Sequence, residues 1–256
     1  MTLGKNQPVA TAYADYPELV EMSGELYLIW EDGRDITMIK YDTGTDDWLD
    51  AGSAGISAVD GFGFGVTTDG SAPYVAFRDS AAGREVSVMT FDGTSWSYVG
   101  TPGFSDGENI YDPDVVVDSA TGDVYAIFQE WRSTGAVTWG AGVQKWDGSS
   151  WQSVGSRIFT DLDKSTVLPD AGNDPKIELL NGRPIAVFEV AMDSGHPRAD
   201  LGGKVLAMMY DGTDWVHAGQ EVFTGDAGFP LIEVDAGAAY VLYETENDSL
   251  TMQVLR

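Results

Sequence analysis

The chain has no cysteine, only two histidines and few basic residues. Without cysteine it can form no disulfide, no thiolate metal site and no thiol nucleophile. Its 14 lysines and arginines stand against 41 aspartates and glutamates, a net charge of -27. Because this charge repels nucleic acid and anionic membrane surfaces, we expect neither as a partner. No apolar run approaches the roughly 18 residues of a membrane helix, so we also expect no membrane insertion.

A hairpin motif recurs four times along the chain. Each copy has an aromatic residue, an aspartate, a short turn, a tryptophan and a final glycine, in residues 41–52, 91–100, 146–155 and 210–219. The Asp-Gly dipeptide of the last three supplies the positive φ angles of a hairpin turn, so the motif predicts strand, turn and strand. Because the tryptophans share one position of a repeat, we expect them to pack between repeats. They are Trp48, Trp96, Trp151 and Trp215.

A second motif, an apolar run ending in a polar residue, recurs five times. It occupies residues 27–31, 74–78, 125–129, 185–189 and 240–244. A near-continuous apolar run predicts a strand that is buried on both faces, as in a sheet between two other sheets. The fifth copy has no tryptophan hairpin after it, and we expect the N-terminal residues 1–7 to supply the missing strand.

Five repeats of four short strands predict an all-β fold, a single five-bladed β-propeller of four-stranded antiparallel blades. We label the strands of a blade A to D from the central channel outward. The single domain spans residues 1–256, with approximate blades at 16–52, 62–100, 112–155, 174–219 and 229–256, the last completed by 1–7. The N-terminal strand would thus close the ring.

Residues 73–77 and 86–96 read Pro-Tyr-Val-Ala-Phe and Val-x-Val-x-x-Phe-Asp-Gly-x-x-Trp. This repeat resembles the kelch-like and Asp-box-like repeats of bacterial secreted and surface propellers, over essentially the whole chain. The resemblance implies a propeller fold and an extracellular or cell-surface location, with a signal peptide absent from this chain. Five-bladed propellers of known function include tachylectin-like sugar binders and arabinanase-type glycoside hydrolases, so the resemblance alone does not choose a function.

The B–C loops differ between blades and are long in blades 3 and 4, which predicts one walled ligand site on the rim that they share with the D–A connectors. Trp131 and Trp139 are the candidates to stack on sugar rings, although they are equally suited to anchoring the loop. Hydrogen-bonding side chains surround them in the same two loops. These are Glu130, Arg132, Asp193, His196 and Arg198.

Carboxylates are predicted to converge at the mouth of the channel on the same rim. Asp112 and Asp174 begin strands A, whereas Glu31, Glu189 and Glu244 end strands B. Three interpretations stay open: a purely structural rim, an oxygen-only site for a hard cation such as calcium, or an acid and base pair for glycoside hydrolysis.

From these patterns we predict a monomeric, lectin-like propeller that binds a glycan or polysaccharide. No catalytic residue and no metal ligand is assigned, and calcium is left open as a cofactor. A non-catalytic scaffold or protein-interaction propeller is the first alternative. A glycoside hydrolase that uses the rim carboxylates is the second.

Overall fold

The computed structural model describes residues 14–33, 35–51, 56–57, 59–105, 109–132, 138–156, 171–190, 203–219, 227–245 and 249–256. These residues form twenty β-strands and one short 3-10 helix, Ser80–Ala82. The strands make five separate antiparallel sheets, which confirms the predicted five-bladed propeller. Within the described part of the chain, no helix is long and apolar enough to cross a membrane.

The first three blades follow one another along the chain. Blade 1 contains β1 (Asp15–Met22), β2 (Glu25–Asp32), β3 (Asp35–Asp42) and β4 (Asp47–Asp50), with the short β5 (Ile56–Ser57) also paired to β3. Blade 2 contains β6 (Val59–Thr68), β7 (Pro73–Asp79), β8 (Glu85–Phe91) and β9 (Trp96–Tyr98). Blade 3 contains β10 (Asn109–Val117), β11 (Val124–Arg132), β12 (Thr138–Trp146) and β13 (Trp151–Ser153).

The last two blades differ in their strand number. Blade 4 contains β14 (Ala171–Leu180), β15 (Arg183–Val190), β16 (Lys204–Tyr210) and β17 (Trp215–His217). Blade 5 has three described strands, β18 (Ala227–Asp235), β19 (Ala238–Thr245) and β20 (Ser249–Leu255). The N-terminal strand predicted to complete it, residues 1–7, lies outside the described residues, so that closure stays a prediction.

Strand B is buried on both faces in blades 2, 3 and 4, as its apolar run predicts. In blades 1 and 5 part of strand B, including Leu28 and Leu242, is only half-buried. The side chains of Phe77, Phe128 and Phe188 occupy one position in blades 2, 3 and 4 and are at most 2% exposed. Four apolar clusters join blade 1 to 2, 2 to 3, 3 to 4 and 4 to 5. Packing between consecutive blades is therefore the core of the fold.

The hairpin tryptophans Trp151 and Trp215 contact the preceding blade, as predicted from their repeat position. The indole N–H of Trp215 donates to the carbonyl of Val154 at 2.8 Å, and that of Trp151 donates to the carbonyl of Val99 at 3.0 Å. The Trp151 ring also stacks on Phe104, with ring centroids 3.7 Å apart. Each of these hydrogen bonds links the outer strand of one blade to the end of the blade before it.

Each strand A contains a β-bulge near its start, and this feature was not predicted. The pairing register with strand B shifts in all five blades next to a residue of positive φ. These residues are Tyr16 (53°), Gly63 (77°), Asp112 (46°), Asp174 (44°) and Phe229 (50°). In four blades a proline follows the bulge residue and has no pairing partner in strand B. Pairing with strand B continues on the N-terminal side of the bulge, so strand A begins one to three residues before its predicted start.

Candidate functional site

The B–C hairpin of blade 3 carries the two tryptophans predicted to bind sugar. Its backbone register makes Trp131 and Trp139 direct cross-strand partners, with Arg132 opposite Thr138. The strands extend further than the sequence suggested, because Glu130, Trp131 and Arg132 belong to β11 rather than to a loop. Glu130 is 1% exposed. It is therefore a buried strand residue.

The long loop of blade 4 contributes the remaining predicted ligand residues. Asp193, His196 and Arg198 lie outside the described residues. Their part in the site therefore stays a prediction.

The bulges place five residues around the mouth of the channel. The side chains of Tyr16, Asp112 and Asp174 interact electrostatically. Burial is the largest cause of the raised pKa of Tyr16, and the charges of Asp112 and Asp174 raise it further. Tyr16 is 52% exposed and Phe229 is 70% exposed. Non-glycine residues with positive φ are strained and persist only where the surrounding structure holds them. Strained backbone, aromatic side chains and carboxylates thus coincide at one end of the channel.

Asp112 and Asp174 are brought together there, as the sequence predicts. Burial raises the pKa of Asp112 to about 6, and the neighbouring charge of Asp174 adds to the shift. Burial also raises the pKa of Asp174, against the opposing charge of Lys176. A carboxyl whose pKa is near 6 exchanges a proton close to neutral pH.

The glutamates that end strands B have a structural role that the sequence did not reveal. Glu31 of blade 1 accepts a hydrogen bond from the backbone N–H of Gly63, the bulge residue of blade 2. Glu189 of blade 4 accepts one from the N–H of Phe229, the bulge residue of blade 5. Each carboxylate therefore fastens the bulge of the next blade. Of the three interpretations of the rim, a structural one now has direct support at these two residues.

A second charged cluster lies deeper among the inner strands, two and four residues beyond the bulges. Lys176 is its single basic residue among those described, and its charge lowers the pKa of Glu18 and Asp114 against the dominant effect of burial. Burial raises the pKa of Glu178 to about 7, helped by the charges of Asp114 and Glu233. These five charged residues and apolar side chains of blade 5 line a cavity of about 440 Å³.

Sequence reasoning missed this inner cluster and the bulges, although a signal for both exists. Tyr, Asp, Asp and Phe precede proline at equivalent positions of four blades, and proline inside a strand indicates a bulge. Charged residues at every second position after the bulge, such as Lys176 and Glu178, interrupt strands that are otherwise apolar. Polar residues in a predicted buried strand deserve a functional interpretation.

The described residues contain no group of three or more carboxylate or imidazole side chains arranged to hold a metal ion. Asp112 and Asp174 are thus a pair rather than part of a larger ligand set among these residues. The calcium site that the sequence left open has no supporting geometry among the described residues.

The sequence matches no family model and none of the curated proteins with which it was compared. Similar solved structures show the same architecture. The Aleuria aurantia lectin AAL, in complex with Fucalpha1-6GlcNAc, is 13% identical over 94% of this chain and 74% of its own, with a TM-score of 0.61. The SapL1 lectin, in complex with alpha methyl fucoside, is 12% identical over 95% and 77%, with a TM-score of 0.59. A thermostable family-43 glycoside hydrolase is 13% identical over 94% and 88%, with a TM-score of 0.50. At these identities the likeness shows the propeller fold.

Proposed function

We propose that this chain is a lectin-like, carbohydrate-binding propeller whose ligand lies on the rim formed by the D–A connectors and the B–C loops of blades 3 and 4. The observation that carries the proposal is the register of Trp131 and Trp139. Direct cross-strand partners share one face of a sheet, and the backbone register gives Trp131 and Trp139 neighbouring positions in the hairpin. Neighbouring aromatic rings are the usual platform for the apolar faces of sugars.

The channel mouth beside this hairpin supports the same ligand class. Tyr16 exposes aromatic surface close to the carboxylates of Asp112 and Asp174, and the exposed Phe229 has its backbone N–H bonded to Glu189. Flat apolar surfaces with a few polar groups between them suit a ring bearing hydroxyls. Two of the similar structures are lectins with fucose-containing ligands, which supports carbohydrate as the class without selecting the sugar.

Within this proposal the two indoles stack on the sugar and Arg132, Asp193, His196 and Arg198 hydrogen-bond its hydroxyls. Glu130 supports the hairpin from within the strand, because its side chain is buried.

A glycan array of the purified chain, run with and without calcium, tests the proposal. We expect binding to a restricted set of glycans and a loss of about 1–3 kcal/mol of binding free energy in Trp131→Ala or Trp139→Ala. Their melting temperatures should stay close to that of the parent chain. Trp96→Ala, at a repeated hairpin position, is the control that should lose stability. If the first two variants lose as much stability as Trp96→Ala and bind as before, the tryptophans only anchor the hairpin.

Asp112 and Asp174 favour a second candidate function, glycoside hydrolysis. The raised pKa of Asp112, about 6, and its coupling to Asp174 resemble an acid that is protonated beside an ionised partner. Release of reducing sugar from the array's best ligand should then occur, and Asp112→Asn and Asp174→Asn should each abolish it. Binding without any release would exclude this function for that ligand.

The proposal includes an extracellular or cell-surface location, kelch-like or Asp-box-like repeats and a monomeric state. The acidic surface is consistent with a monomer, because like charges oppose self-association. Light scattering at low and high salt measures the mass directly, and a dimer under both conditions would contradict this part.

A further inference from the structure

The channel cavity of about 440 Å³ has an apolar side that the proposed function does not use. Its lining comes from strand A of all five blades and, in blade 5, also from strands B and C. The blade 5 part contains a row of cross-strand partners, Leu231, Leu242 and Met252, which therefore lie on one face of the sheet. Leu231 is 53% exposed and Met252 is 61% exposed. Apolar surface is thus open to a ligand in this cavity.

A polar row lies beside the apolar row on the same face of blade 5. Glu233 and Tyr240 are cross-strand partners, two residues along their strands from Leu231 and Leu242. Residues two apart in a strand share a face and are separated by about 6.6 Å. All four of these side chains line the cavity. A ligand whose polar and apolar parts lie about that distance apart can therefore contact both rows.

The negative charge of the cavity is only partly balanced by its lysine. The charge of Lys176 acts on Glu18 and Asp114. Burial is the largest cause of the raised pKa of Glu178, and the negative charges of Asp114 and Glu233 raise it further. Glu178 and Glu233 both line the cavity, so a cation inside it meets both charges and lowers their repulsion.

We propose that the channel cavity binds a small organic amine, with its protonated nitrogen at Glu178 and Glu233 and its apolar group on Leu231, Leu242 and Met252. The three N–H donors of an ammonium group suit carboxylate acceptors. An anionic ligand is repelled by the surplus of carboxylates, and a ligand without an apolar group leaves the apolar row without a partner. The cavity volume lies in the range of small-molecule sites, roughly 300–1,000 Å³. None of these residues belongs to the proposed carbohydrate site.

Isothermal titration calorimetry at pH 8 in about 0.15 M sodium chloride, with hexylamine as the probe, tests the proposal. At this pH Glu178 is mostly ionised, since its pKa is about 7, and an alkylamine with a pKa of about 10.4 stays protonated. Methylamine keeps only the charge of the probe, and 1-hexanol keeps only its apolar chain. Hexylamine should bind at least about tenfold more tightly than either, because it alone contacts both rows. Equal binding of either control ligand would overturn the proposal, since one row would then explain the affinity.

Three variants remove the two rows separately. Glu178→Gln and Glu233→Gln should each weaken hexylamine binding by about threefold to tenfold and leave 1-hexanol binding unchanged. Glu178→Gln removes a charge that burial and its neighbours disfavour, so this variant should remain folded. Met252→Ser should weaken the binding of hexylamine but not of methylamine. Hexylamine affinity that is unchanged in both glutamine variants, or unchanged in Met252→Ser, would contradict the proposal.

Two control variants make the same kinds of change outside the cavity. Glu21 is an exposed carboxylate of β1, and Val216 is 37% exposed on the outer strand β17. Neither is among the residues that line the cavity. Glu21→Gln and Val216→Ser should therefore bind hexylamine as the parent chain does. If Glu21→Gln weakens binding as much as Glu233→Gln, the net charge of -27 attracts the amine and the proposal is overturned.

Discussion

Aspartates at the two ends of this propeller behave in opposite ways. One end of the propeller carries the tryptophan hairpins, which turn from strand C to strand D, and is called here the hairpin end. There Asp147 accepts hydrogen bonds from the Ser149 hydroxyl at 2.7 Å and from the Ser150 N–H at 3.0 Å, and these bonds hold its pKa down at about 2. At the channel mouth, burial and Asp174 raise the pKa of Asp112 to about 6. One residue type is stabilised as an anion in the first place and destabilised as an anion in the second.

The difference separates carboxylates that are hydrogen-bonded within their own turns from carboxylates that are buried at the channel mouth. The carboxylates of Asp92 and Asp211 repeat the arrangement of Asp147, each accepting two backbone N–H groups of its own turn, and their pKa values are lowered for that reason. At the mouth, exposed aromatic rings and strained bulges accompany raised pKa values. The hairpin end is structural, and the mouth is the end suited to a ligand.

The largest expected contrast between the two ends is in stability. Trp215→Ala should lower the free energy of unfolding by about 3–5 kcal/mol, because it removes a buried ring and leaves the Val154 carbonyl without its indole donor. Phe229→Ala at the mouth should cost less than about 1 kcal/mol, since its ring is 70% exposed. Urea unfolding measures both. Equal losses would remove the distinction between a structural end and a binding end.

The raised carboxyl pKa values of the inner strands should make the stability of the fold depend on pH. The pKa of Glu178 is about 7 in the fold, against about 4.3 in an unfolded chain, so the folded state holds the extra proton between these values. Its contribution to stability is complete below about pH 4 and is lost as the pH rises to about 7. Glu178→Gln should therefore stabilise the protein by about 1–2 kcal/mol at pH 8 and flatten this part of its profile. Melting curves from pH 4 to 8 measure the effect, and an unchanged slope in the variant would assign the profile to other groups.

Replacing aspartate with asparagine should change the melting temperature in opposite directions at the two ends. At pH 7, Asp112→Asn should raise the melting temperature slightly, because it removes a buried charge that Asp174 repels. Asp147→Asn should lower it slightly, because the turn loses hydrogen bonds to an anion. Differential scanning calorimetry of the two variants is the measurement. If both changes destabilise, the carboxylate of Asp112 has a favourable partner that its raised pKa does not reveal.

The fold was predictable because it is built from repeats. A residue that recurs at one position of the repeat has the same packing role in each blade, so each copy supports the interpretation of the others. The buried strand B phenylalanines and the tryptophans that bond to the preceding blade followed from repetition alone. The bulges did not, since their left-handed residues are Tyr, Asp and Phe rather than the glycine that usually indicates positive φ.

The site was predictable only in part, because its features occur once rather than five times. The convergence of Asp112 and Asp174 followed from their places at strand starts. The direction of Glu31 toward the bulge of the next blade did not, because a hydrogen bond between blades depends on their relative placement. Gly63 looked like one of many glycines until the side chains on either side of it were known.

The smallest expected difference between the two ends is their response to ions. With a net charge of -27, moderate salt of about 0.3 M should raise the melting temperature by screening repulsion among exposed carboxylates. Calcium at the same ionic strength should add nothing, because among the described residues no three carboxylates form a ligand set. Melting curves in sodium chloride and in calcium chloride matched for ionic strength compare the two effects. Saturable stabilisation by micromolar calcium that disappears in Asp112→Asn but persists in Asp147→Asn would show a cation site at the mouth.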